Sequence, residues 1–102
     1  MPSLDLTNID TGDMMAGISV DRTKDAAYLI GSKLTNGCGV LAAVHMETGT
    51  IVLVTTNMSA HPFATLLITK ESGIITQRHY FDDIHYGVAD MDDRTLRGRR
   101  HL

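Results

Sequence analysis

Hydrophobic and polar positions alternate least ambiguously in residues 39–57, GVLAAVHMETGTIVLVTTN. Two apolar runs, residues 40–44 and 51–54, flank the polar segment Glu47-Thr48-Gly49. Their β-branched content and short length predict strands rather than a buried helix. A glycine at the end of the polar segment suits a turn that needs positive φ. The second run is apolar on both alternating faces, with Ile51 and Leu53 on one and Val52 and Val54 on the other. A strand of that kind is covered on both sides.

Around this hairpin the patterning is thinner. Leu4 and Leu6 alternate within residues 2–9 and predict a weak strand, and residues 10–13 are turn material. Residues 14–20 fit either a strand or the opening of a helix. In residues 21–35, Ala26, Ile30 and Leu34 fall at i, i+4 and i+8 behind a capping Asp21, which predicts a helix that Asn36-Gly37 ends. Pro62 suits the first turn of a second helix over 62–72, closed by Ser72-Gly73. A rival reading makes 64–69 and 74–78 a second hairpin, echoing the first through the pair ETGTI and ESGII. Residues 74–81 read as a strand either way. Beyond Asp90 the segment MDDRTLRGRRHL has few apolar positions and reads as a mobile, Arg-rich tail, whose deletion is expected to leave the melting temperature nearly unchanged.

The predicted order is strand, helix, strand, strand, helix, strand. This is the βαββαβ arrangement of ferredoxin-like α+β domains, with both helices on one face of the sheet; a mostly-β hairpin barrel or sandwich is the alternative. The expected organisation is one α+β domain over residues 1–90 followed by the tail, 91–102. A sheet with helices on one face leaves the other open, and the doubly apolar 51–54 run then calls for a second copy of the chain as its cover.

Composition narrows the class. The chain has 102 residues, 43% of them hydrophobic, enough for one core. A single cysteine excludes an internal disulfide framework and fits a reducing compartment. There is no signal-peptide pattern and no membrane-length apolar run, so a cytoplasmic protein is expected. Residues 1–90 carry five Lys/Arg against ten Asp/Glu, whereas 91–102 carry four Arg against two Asp. An acidic body argues against a general nucleic-acid-binding face.

Candidate chemistry is sparse. No Gly-rich phosphate loop, zinc-type Cys/His spacing or Ser-centred elbow is present, and no cofactor is expected. His79, Asp83 and His85 have the donor types of a two-His-one-carboxylate metal site. At about 3.3 Å per residue a strand spreads the outer two about 20 Å apart, so the chain would have to bend at Asp82-Asp83. No metal is therefore assigned. Cys38, between two glycines, and His61 are weak candidates for nucleophilic or acid–base work. Arg78, His79 and Tyr80 on the last strand, with Arg94 and Arg97 of the basic cluster, are the candidates for holding a small anionic ligand. The opening Met-Pro, followed by SLDLTNI, resembles that of the tautomerases, which implies Pro2 as an N-terminal amine base in an assembly of βαβ units. The leading expectation is a small homo-oligomeric binding or regulatory protein that takes a small ligand, anionic ones included, or a protein partner at a subunit interface. The alternative is a small enzyme using a His79/Asp83/His85 metal or the Pro2 amine.

Overall fold

The computed structural model describes residues 19–100, with side chains through residue 97. Four strands, β1 (Val40–His45), β2 (Gly49–Thr55), β3 (Phe63–Thr69) and β4 (Ile75–Phe81), form one antiparallel sheet in the order β1-β2-β3-β4. A helix, α1 (Ile84–Arg100), follows the last strand, and one turn of 3-10 helix (Ala26–Leu29) precedes the first. The architecture is α+β, but it is a meander followed by a helix rather than the expected βαββαβ order. The first expected strand and the 14–20 segment fall mostly outside the described residues.

The two differences have local causes. The helix expected over 21–35 stops after one turn because Gly31 takes φ +90° and Ile30 is already extended. Gly31 N–H then donates to Val40 O at 2.9 Å and Val40 N–H to Ser32 O at 2.9 Å. Those bonds turn the segment along the start of β1. The helix expected over 62–72 is β3, as the rival hairpin reading had it. Its glycine stop is nonetheless a helical turn in miniature: Gly73, at φ +67°, donates to Thr69 O, and the loop between β3 and β4 ends there.

β2 and β3 lie at the centre, and their side chains are buried on both faces. On one face Val40, Val52, Val54, Ala64, Leu66, Ile68 and Ile75 pack under Leu29 and Leu34. On the other, Ile51, Leu53 and Leu67 pack under Met91 of α1. The doubly apolar 51–54 run is therefore covered on both sides by its own chain. The ground for requiring a second copy, an uncovered sheet face, is absent here. α1 also crosses the boundary expected after residue 90, since Met91 is 6% exposed and sits in the core.

Gly49 is needed for a different reason from the one its sequence suggested. It is not among the left-handed glycines, and the two-residue turn Glu47-Thr48 is closed by Met46 and Gly49. A Cβ at Gly49 would lie 2.1 Å from the carbonyl oxygen of Ile68 on β3. Glycine here permits close approach of two backbones. No helix among the described residues is long and apolar enough to cross a membrane.

Candidate functional site

Thr65 is a hydroxyl at the centre of the sheet with no solvent exposure, on the face that α1 covers. A hydroxyl so placed needs partners, and α1 supplies them. Asp90 and Arg94, one turn apart, share the helix face that meets β3. Thr65 Oγ1 donates to Asp90 Oδ2 at 2.6 Å and accepts from Arg94 Nη1 at 2.9 Å. His79 stands opposite Thr65 in the β3–β4 ladder, and its Nδ1 lies 2.9 Å from the same Asp90 oxygen. Arg94 Nη2 completes the network by donating to Gln77 Oε1 at 3.3 Å.

A bulge in β4 makes this cluster possible. Thr76 pairs with Leu67 and His79 with Thr65, so three steps on β4 match two on β3. Gln77 is the only described non-glycine residue with positive φ, at +52°. It occupies a position that bulges of this kind usually give to glycine. Without the extra residue, Arg78 rather than His79 would oppose Thr65. Such backbone conformations cost about 1–3 kcal/mol and concentrate at functional sites.

The electrostatics follow from burial and partners. Burial works to raise the Asp90 pKa, but hydrogen bonds from Thr65 and His79 and the charges of His79 and Arg94 outweigh it, leaving the carboxyl below its ordinary value. An ionised Asp90 can only accept, so His79 Nδ1 carries the proton. In the neutral imidazole the lone pair is then on Nε2. Arg94 has a side chain only 8% exposed, and its nearest approach to Asp90 is 3.9 Å. Burial pulls its guanidinium below the ordinary value; Asp90 opposes this and the like charge of Arg97 adds to it.

Of these residues, Gln77, His79 and Arg94 line a concavity of about 430 Å³ together with Met46, Thr48, Ile51, Leu67 and Arg97. Its lining joins apolar Met46, Ile51 and Leu67 to the cationic Arg94 and Arg97, the latter ion-paired with Asp93. A second concavity, of about 390 Å³, lies beside Arg22 at the edge of the described residues. There the Arg22 guanidinium is bound to the carbonyls of Gly49 and Met46, which ties it to the hairpin.

Of the residues singled out in the sequence, His79, Arg94 and Arg97 come together here. Tyr80 opposes Ala64 and so shares the other sheet face, and alternation puts Arg78 with it. His79, Asp83 and His85 do not converge. Asp83 caps α1, its Oδ1 accepting from the His85 amide at 2.8 Å and lying 2.8 Å from His85 Nδ1, while His79 pairs with Asp90. Among the described residues no three His, Cys, Asp or Glu side chains are grouped to hold a metal ion. Cys38 is half-buried against the first-face core. His61 is exposed, its ring centroid 6.5 Å from that of Tyr80. Pro2 lies outside the described residues. Thr65, Gln77 and Asp90 were not anticipated. The available signal was the charge spacing Asp90–Arg94 and Asp93–Arg97, acid four residues ahead of base, which favours a helix through 90–97.

The pairing gives a pH test. Asp90 binds its proton more weakly in the folded chain than in the unfolded one, where a carboxyl titrates near about 3.9. It therefore stabilises the fold above that value, and the contribution is lost as pH falls through the lower folded pKa. Asp90→Asn should melt lower than the parent at neutral pH and lose less on acidification from about pH 5 downward. Asp21 and Asp83, also held low by local hydrogen bonds, contribute equally to both proteins. Parallel melting curves across that range would show that Asp90 is not coupled to folding.

Comparison with protein-family models, with curated proteins and with solved structures finds no match to this chain.

Proposed function

We propose that this chain is a small binding protein whose ligand sits in the concavity between the sheet and the C-terminal half of α1. The ligand joins an anionic group to a short apolar body. Arg94 carries this reading: a buried guanidinium whose one nearby carboxylate among the described residues is 3.9 Å away and shared with Thr65 and His79. Arg97, three residues on, lines the same concavity with an exposed side chain paired to Asp93, and the two like charges disfavour one another. An anion between them relieves that repulsion and gains charge-assisted hydrogen bonds. Ile51, Leu67 and Met46 offer an apolar surface next to it. Such a floor with a few convergent polar groups is the usual composition of a small-molecule site. The site is built within one chain, so the reading does not rest on a subunit interface.

Thermal melting with phenyl phosphate and with inorganic phosphate, at constant ionic strength, tests the reading. Both should raise the melting temperature by linkage, phenyl phosphate at lower concentration. Arg97→Gln, at an exposed position that leaves the core intact, should abolish most of the rise. No rise with either ligand, or an equal rise in Arg97→Gln, would refute the anion site.

A further inference from the structure

We propose that His79 Nε2 is a phosphoryl acceptor, so that the chain carries a phosphate on this imidazole after transfer from a phosphoramidate- or mixed-anhydride-type donor. The inference rests on the anion-site reading and adds a covalent step to it. Its basis is the joining of a fixed imidazole to a cationic concavity. Asp90 fixes the proton on Nδ1, and Asp90 is itself held by Thr65 from the sheet and lies beside Arg94 of its own helix. The nucleophilic lone pair is then on Nε2 of a ring whose side chain is 46% exposed and which lines the concavity. Among the residues lining that concavity, His79 is the one nitrogen base, and the Thr65 hydroxyl behind it is committed to Asp90.

The neighbours select the group transferred. A neutral acyl group has no use for two guanidiniums, whereas a phosphoryl group brings a tetrahedral dianion that matches their donors. In the step, the Nε2 lone pair attacks phosphorus and the bond from phosphorus to the donor's leaving atom breaks. With phosphoramidate the leaving group departs as ammonia, its three protons already on the donor nitrogen. The product is an Nε2-phosphorylated imidazolium that keeps its Nδ1 proton. Ionised Asp90 faces that cation, and Arg94 and Arg97 face the phosphate. No oxidant, metal or further proton carrier enters the balance.

His85 provides the internal control. Its Nδ1 lies 2.8 Å from Asp83, much as His79 lies from Asp90, but its side chain is 91% exposed and its partner is the helix cap two residues away. If pairing with a carboxylate were enough, the two rings would react alike.

The experiment incubates the folded full-length chain with potassium phosphoramidate and locates the label by intact mass and fragmentation under non-acidic conditions. A single phosphoryl adduct on His79 is expected, retained in His85→Gln, lost in His79→Gln, and formed more slowly in Asp90→Asn and Arg97→Gln. Label distributed over the exposed histidines, label on His85, or no label overturns the inference. The site assignment comes from the parent chain, so it does not depend on any variant folding. Phenyl phosphate binding with no label on His79 would overturn the phosphoryl step and leave the anion site standing. Loss of both would remove the two together.

Discussion

Alanine at Gly49 is expected to unfold the protein or to leave it melting far below the parent. The added Cβ would meet the Ile68 carbonyl oxygen at 2.1 Å, its carbonyl carbon at 3.0 Å and Leu67 Cδ1 at 3.1 Å. The first two are backbone atoms of β3, so no change of rotamer relieves the overlap. β2 and β3 would have to part at the Gly49–Thr69 pair, and the Lys70–Thr48 bond that links the two hairpin loops would go with it. Mutations that force backbone apart in a core belong to the tail of large effects, about 4 kcal/mol or more. That is a large share of the roughly 5–15 kcal/mol by which a domain is stable. Gly37 supplies the contrast: its φ is +88°, but nothing lies within 4 Å of a Cβ there. Gly37→Ala should lose only the cost of a left-handed alanine, about 1–2 kcal/mol. Urea unfolding of the two variants, with similar losses in both, would show that the close approach at Gly49 does not matter.

Gly49 also illustrates what the sequence discloses. A glycine between two apolar runs marks the end of a hairpin turn, and the hairpin is there. Its reason, contact with a strand 19 residues away from Gly49 in the chain, is not local and has no local signature. β2 was legible because four successive large apolar residues admit few alternatives. β3 was ambiguous for the same reason: ATLLIT is buried on both faces, so it shows neither a period of two nor one of 3.6. In β4 ordinary alternation separates His79 from Arg78 and Tyr80, and the bulge at Gln77 decides that His79 rather than Arg78 opposes Thr65 on the α1 face. α1 escaped notice because the stripe it turns toward the sheet is Gly87, Asp90, Met91 and Arg94. Only one of those four is a large hydrophobe, so no amphipathic period appears. Gly87 sits over Leu53, close enough that a Cβ would come within 2.8 Å of Leu53 Cδ1. The site and the helix were hidden by a single fact: the polar residues of the candidate site occupy the positions that would have made the helix readable.

Ending the chain after Asp90 is accordingly expected to cost much of the stability, where apolar content alone predicted almost no change. The deletion removes Met91, 6% exposed, from its place over Ile51, Leu53 and Leu67. Burial of one such side chain contributes about 1.5–3 kcal/mol, and the surface it covers on the three strand residues returns to water with it. Arg94 leaves as well, so Thr65 Oγ1 loses its donor and Gln77 Oε1 its partner. The helix is cut to less than two turns, too short to hold Asp90 against His79 on its own. Together these losses amount to about 3–6 kcal/mol, enough to unfold a domain of ordinary stability. Met91→Ala, which keeps the helix and the polar network, should lose about 2–5 kcal/mol, so the truncation must be the more severe of the two. Thermal melting with a dye that reports exposed apolar surface reads both effects. A truncated chain that melts within a degree or two of the parent without binding the dye would mean that α1 contributes nothing to the core beyond Asp90.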